Sequence, residues 1–353
     1  MNKKYIIGIC GSFGAAAETY DGQTVKTRNL NEALKMNLGE SSTIAMNTHF
    51  WRKKPFSTFM QCLHLAKNCK KIIILPAQRG LKVFLPLFAA LKKIFGFDLY
   101  YDVVGGWLPQ AAENNSRLKK YLKSLDCIFV ETKAMMKMLG DIGVTNVSVL
   151  PNFKMMKPLE TDELVYQTEF PLKLCTFSRV MEEKGITDAI RAVSKVNNEF
   201  KKTVYSLDIY GNIDSSYEEK FASLLNESAE YVRYKGCVPP QSSIDVVKNY
   251  YALLFPTYYD GEGFAGTIID AFSAGVPVIA SDWKYNSEIV TDGVTGYLFP
   301  PKDSTALETA LKKLAAEPDK LNSMKENCIN KAQKYLPQNA VSELLDKMQV
   351  NTH

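Results

Sequence analysis

The feature that most constrains this chain is an alternation that runs its course twice. Short apolar runs rich in β-forming residues alternate with longer amphipathic stretches over residues 5–150, and the pattern starts again at residue 172. In the first half the spacing predicts strands at Tyr5–Cys10, Thr43–Met46, Lys71–Leu75, Leu99–Val104, Cys127–Val130 and Val147–Leu150. Helices are expected between them, as at Val25–Met36, Leu81–Ile94 and Ser116–Lys123. Parallel strands need crossovers long enough to be helices, so this alternation means parallel sheets with helices on both faces. The pattern breaks at Leu150-Pro151-Asn152, and residues 151–170 are polar and irregular, as a linker is. The second half predicts strands at Leu172–Ser178, Tyr205–Tyr210, Val232–Lys235, Ala252–Phe255, Val276–Ala280 and Tyr297–Phe299. Its helices fall at Thr187–Val196, with Thr187 as capping residue, and at Tyr217–Asn226, Ser243–Tyr250 and Gly266–Ser273. Further helices fill the chain from Thr305, interrupted at Pro318 and Pro337. The expectation is an α/β chain of two doubly wound domains, residues 1–151 and 152–337, with a C-terminal helix of about 338–353 able to pack back on the first. Ligands of such sheets sit at the carboxyl ends of the strands, which makes a cleft between the two domains the expected site.

Composition narrows the class. With 353 residues, 46% hydrophobic and 23% charged, the chain has globular proportions and room for two domains. The longest apolar run, Val83–Leu91, is nine residues and holds a proline, against about 20 for a membrane span. Seven cysteines lie in separate segments without a CxxC pair or a Cys/His cluster, which suits reduced, mostly buried thiols and no zinc site. Lys3-Lys4 followed by Tyr5–Cys10 and Ala15-Ala16-Ala17 mimics a secretory signal; the favoured reading is a first strand running into a loop with Gly8, Gly11 and Gly14. Charge is uneven: residues 1–150 carry 21 Lys and Arg against 10 Asp and Glu, and the remainder carries 22 against 28. One domain is therefore suited to an anionic surface or partner.

Two segments carry chemistry. In Phe255–Asp282 a strand ends at Pro256, a loop with Gly261, Gly263 and Gly266 follows, and a helix then opens. Glycines let backbone N–H groups approach a ligand, and a helix amino terminus favours negative charge, so this geometry suits a diphosphate. Glu262 lies in the loop and Asp270 eight residues on; they read either as hydroxyl-binding carboxylates or as a helix cap and a solvated helix face. In Phe177–Gly185, Arg179 and Lys184 occupy a strand-to-helix loop, where two cations can clamp a diphosphate or form a solvated charged turn.

These residues resemble the nucleotide-sugar-binding half of retaining glycosyltransferases with the two-Rossmann GT-B fold, the group 1 family that includes many capsule and exopolysaccharide enzymes. The family's Glu-x7-Glu motif corresponds to Glu262 and Asp270, its Arg…Lys-Gly motif to Arg179…Lys184-Gly185, and its Pro-Asn to Pro151-Asn152. AGVPVIASD at 274–282 and SEIVTDGVTGYLFPP at 287–301 match as well. The resemblance is dense over 172–310 and loose in the amino-terminal half. It implies two Rossmann-like domains facing across a cleft. Arg179 and Lys184 would hold the donor diphosphate as leaving group, and Glu262 would contact the transferred sugar. Backbone amides of Gly263, Phe264, Gly266, Thr267 and Ile268 would support sugar and phosphate. Asp270 would hold the ribose, and Tyr234–Val238, around Gly236 and including Val238, would line the nucleobase pocket. Gly22, in Tyr20-Asp21-Gly22-Gln23, would approach the donor phosphates.

Asp270 departs from the family's commoner Glu, and the segment Tyr101–Trp107 lacks the His many relatives carry there. Asp102 and Trp107 are candidates for the acceptor side. No Asp-x-Asp occurs, so no metal ligand and no cofactor is expected. The resemblance implies transfer of a hexosyl group from a nucleotide-sugar to a lipid-diphosphate-linked saccharide or polysaccharide acceptor in surface-polysaccharide biosynthesis. A non-catalytic sugar-nucleotide-binding protein and a nucleotide-sugar epimerase are the alternatives. Basic residues beside Phe56–Met60 and Val83–Leu91 suit peripheral contact with the cytoplasmic face of the membrane. No nucleic-acid motif accompanies the charge.

Overall fold

A computed structural model of the chain describes residues 3–15, 21–228 and 230–350. Two compact units emerge, residues 1–155 with 336–353, and residues 156–335.

The first unit holds strands β1 (Tyr5–Gly11), β2 (Thr43–Asn47), β3 (Cys69–Ile74), β4 (Asp98–Asp102), β5 (Cys127–Val130) and β6 (Val147–Val149). All pairings are parallel, in the order β2-β1-β3-β4-β5-β6. The signal-like segment is thus an interior strand, with Ile9 opposite Ala45 on one side and Ile73 on the other. Ile72, Ile73 and Ile74 are fully buried, as expected of a strand covered on both faces. The crossovers are α1 (Gly22–Leu38), α2 (Pro55–Asn68), α3 (Gln78–Phe95), the consecutive α4 (Leu108–Glu113) and α5 (Ser116–Leu122), and α6 (Lys133–Asp141). In helix α2, Pro55 stands in the first turn, and Phe56, Phe59 and Met60 on the exposed face blur the apolar period. The Leu81–Ile94 stretch does pack inward, with Phe84, Leu85 and Phe88 buried. The helix Pro337–Lys347 returns to this unit and closes its core, setting Val341, Leu344 and Leu345 among Ile7, Leu30 and Phe153. Each such burial is worth roughly 1.5–3 kcal/mol.

The second unit holds β7 (Leu172–Phe177), β8 (Tyr205–Tyr210), β9 (Val232–Gly236), β10 (Ala252–Phe255), β11 (Val278–Ser281) and β12 (Gly296–Phe299). Its order is β12-β11-β10-β7-β8-β9, again all parallel. The chain winds one way from β7 to β9 and the other from β10 to β12. The switch point of this doubly wound sheet therefore lies between the carboxyl ends of β7 and β10. Helices α7 (Ile186–Phe200), α8 (Glu218–Glu227), α9 (Ser243–Val247) and α10 (Gly266–Ser273) follow their strands. Thr187 is not the cap of α7: Gly185 is, and the Thr187 hydroxyl instead donates to Glu182 at 2.8 Å. All seven cysteines are free, Cys237 exposed and Cys127 half-buried, the others buried.

Candidate functional site

Two loops leave the switch point of the second sheet, one from each of its inner strands. After β7 the chain passes Arg179, makes a short turn at Glu182–Lys184 and enters α7 at Gly185. Gly185 has φ +71°, and a Cβ there would lie 2.2 Å from the Pro256 carbonyl oxygen. Only glycine lets the β7 loop lean this closely on the β10 loop. The loops are tied further by the Tyr258 N–H donating to the Glu183 carbonyl at 2.8 Å.

This contact brings Lys184 Nζ to 2.6 Å from Glu262 Oε2, with the two side chains only 12% and 9% exposed. The buried Thr257 hydroxyl donates to the same oxygen at 2.8 Å. No described residue donates to Oε1. Lys184 Nζ also lies 5.1 Å from the centre of the Tyr259 ring, and the exposed Arg179 guanidinium lies 5.5 Å from it. Both cations thus gather at one aromatic ring. Glu262 is therefore not a helix cap; its charge is met by Lys184, and one oxygen remains for an outside donor.

Helix α10 opens at Ala265 with no side-chain cap; the Ile268 N–H turns back to the Ala265 carbonyl at 3.0 Å, and the N–H groups of Gly266 and Thr267 lack intrahelical partners. Gly263, Phe264, Gly266, Thr267 and Ile268 lie in this approach. Phe264 and Ile268 turn their side chains inward to the core. The Thr267 hydroxyl is buried without a hydrogen-bond partner among the described residues. Asp270 is only 4% exposed, so it is no solvated helix face. Next along the same edge, Gly211 donates its N–H to the Gly236 carbonyl at 2.9 Å, and Tyr234 donates its hydroxyl to Gly211 at 2.9 Å. Val238 packs on the core cluster around Phe255. The structure thus gathers Arg179, Lys184, Gly236, Val238, Glu262 and the start of α10 along one sheet edge.

The remaining candidates belong to the first unit. Gly22 is the first residue of α1, with Asp21 capping it through the Thr24 N–H at 3.1 Å. The preceding residues 16–20, including Tyr20 of the glycine motif, lie outside the described residues. Asp102 is not an open acceptor-side carboxylate. It ends β4 1% exposed and pairs with Lys26 Nζ at 2.8 Å, which also meets Glu131 Oε1 at 3.0 Å and the Val103 carbonyl at 2.6 Å. Burial pushes the Asp102 carboxyl up to about 6, against the pull of the Lys26 ammonium. Burial alone would lower Lys26, but the two carboxylates raise it. Lys26 and Glu131 escaped sequence reasoning, because nothing in a lone Lys on an amphipathic helix marks it as buried. Trp107 is half-buried, its indole N–H donating to the Val104 carbonyl at 2.9 Å. Among the described residues no group of three or more His, Cys, Asp or Glu is placed to hold a metal ion. No described helix is long and apolar enough to cross a membrane.

The chain is similar in sequence and fold to known proteins. The family model described as Glycosyl transferases group 1 matches residues 167–334. The UDP-N-acetylglucosamine–peptide N-acetylglucosaminyltransferase GtfA subunit of Streptococcus pneumoniae is 29% identical over 147 residues, 41% of this chain and 28% of that protein. The amylovoran biosynthesis glycosyltransferase AmsK of Erwinia amylovora is 26% identical over 149 residues, 41% of this chain and 36% of that protein. The matched segments thus span about a third of each relative's own length. Anabaena HepE, solved in complex with UDP-glucose, has the same fold at a TM-score of 0.72 and 14% identity, over 97% of this chain and 99% of that one. Residues 167–334 thus match the glycosyl transferases group 1 model, and the chain's two Rossmann-like units share the GT-B fold.

Proposed function

We propose that the chain is a retaining hexosyltransferase that takes its sugar from a UDP-linked donor and passes it to a lipid-linked or polysaccharide acceptor in surface-polysaccharide synthesis. The observation that carries this is the Lys184–Glu262 pair at the switch point, with Arg179 on the same aromatic ring. Cleaving a sugar–diphosphate bond leaves growing negative charge on the diphosphate. Arg179, Lys184 and the uncapped amino terminus of α10 supply fixed positive charge for it. Glu262 keeps Lys184 oriented through Oε2 and offers Oε1 to a sugar hydroxyl. Asp270 takes the ribose, and the turn at Gly236 and Val238 takes the base. The names of GtfA and AmsK, and the UDP-glucose in the HepE structure, support a UDP donor and a polysaccharide setting. Metal ions are not needed on this reading, since the diphosphate charge is met by side chains and backbone. For the acceptor, the exposed Phe56, Phe59 and Met60 beside Lys53 and Lys54 support contact with an anionic membrane face.

Lys184→Ala does more than remove a charge: it strands Glu262 in a buried site, at a cost of roughly 3–5 kcal/mol. Arg179→Ala is the cleaner test because Arg179 is exposed. Its turnover of UDP-glucose and UDP-N-acetylglucosamine should fall by roughly 10²–10³ with an unchanged melting temperature. The parent's turnover should persist in EDTA. Parent-like turnover in Arg179→Ala would remove the proposed clamp.

A further inference from the structure

A cavity of about 480 Å³ lies in the first unit, between α3, the Trp107 turn and the α4–α5 pair. Small-molecule sites run from roughly 300 to 1,000 Å³. Leu81 and Leu85 of α3 form a buried floor, and Pro86, Trp107, Leu118 and Tyr121 are half-buried walls. The Trp107 ring is fixed by its bond to Val104, so it serves as a wall. At the mouth stand Lys82 and Arg117, both exposed, and no carboxylate lines the cavity. The three helices around it carry seven Lys and Arg against the single acid Glu113.

That pairing of an apolar interior with a cationic rim selects an amphiphile. A free phosphate would leave the apolar walls unused, and a neutral hydrocarbon would leave the cations unused. Helix α3 also carries α2 on another side, so the exposed Phe56, Phe59 and Met60 lie on a neighbouring helix. We propose that this cavity binds the hydrocarbon chain of a lipid phosphate or diphosphate, with Lys82 and Arg117 on its phosphate oxygens. It deepens the proposed function, on which it rests, by giving the lipid part of the acceptor a place.

The test is calorimetric titration of the full chain, with UDP present to occupy the donor site. The probes are farnesyl diphosphate below its micellar concentration, farnesol and inorganic diphosphate. Farnesyl diphosphate should bind about tenfold or more tightly than either other probe, since it alone uses both halves of the site. Leu118→Trp, which fills the cavity, should weaken it by about tenfold, and Lys82→Gln with Arg117→Gln by a similar factor. The surface pair keeps the test valid if the cavity-filling variant fails to fold. Equal binding of farnesol or of inorganic diphosphate, or parent-like affinity in the charge variants, overturns the proposal. Neither outcome touches donor turnover, which tests the transferase reading separately.

Discussion

Lys184 and Lys26 are both lysines held by carboxylates, yet the sequence exposed only one of them. Lys184 stands in Arg179…Lys184-Gly185, a spacing with a physical reason: the left-handed Gly185 lets its loop reach Pro256, and that contact delivers the lysine to Glu262. Glu262 was legible for the same cause, since its loop is rich in glycine. Lys26 has no such frame, and its burial follows only from where Asp102 and Glu131 end their neighbourhood strands. Its carboxylate partner Asp102 has a measurable consequence. The folded protein raises this carboxyl to about 6 from an ordinary 3.8. A folded state that holds the proton more tightly is favoured where the proton is bound, so this group's stabilising effect is full below about pH 4 and is lost as pH rises through about 6. A shift of this size is on the order of 3 kcal/mol. Asp102→Asn should therefore gain stability relative to the parent as pH rises across that window. Urea midpoints at several pH values would show it, and a difference that is flat from pH 4 to 7 would refute it.

Among the elements, strands were read more faithfully than helices. Cys127–Val130 and Ala252–Phe255 fall where their apolar runs end, because a buried parallel strand has no polar face to blur its limits. The bounds of helix α2 are blurred by its apolar outer face, and that same face gives it a use. Not every lysine of this region is available to a membrane: Lys71 is engaged with Asp98 at 2.6 Å and Lys92 with Asp126 at 2.5 Å. Phe56, at 77% exposure, and its neighbours Lys53 and Lys54 are open. Polybasic segments gain about 1 kcal/mol per Lys or Arg at an anionic surface, and salt screens the gain. The chain should co-sediment with vesicles containing phosphatidylglycerol and not with neutral ones, and it should release at high salt. Phe56→Ser with Lys53→Gln and Lys54→Gln should weaken binding by roughly 10-fold or more. Sedimentation indifferent to vesicle charge would assign the α2 face to another partner.

Across the whole molecule, the alternation of strand and helix foretold two parallel sheets, and the break at Pro151 fell close to where the chain leaves the first unit. Strand order was not legible, since period and propensity say nothing of which neighbour a strand chooses. The switch point, and with it the meeting of Arg179, Lys184 and Glu262, had to come from the fold. The second unit is one unbroken stretch, residues 156–335, whereas the first is completed by residues from both ends of the chain. A fragment of 156–335 should fold alone and, on the proposed function, bind UDP, whereas a fragment of 1–155 should be insoluble or molten for want of Val341, Leu344 and Leu345. Calorimetry and near-ultraviolet dichroism of the two fragments would decide this, and a well-folded 1–155 would contradict it. On the ribosome the consequence is a reversal of the usual order. The amino-terminal half emerges first but must wait with an open core while all of residues 156–335 are made, so the later-synthesised unit is the first that is able to finish.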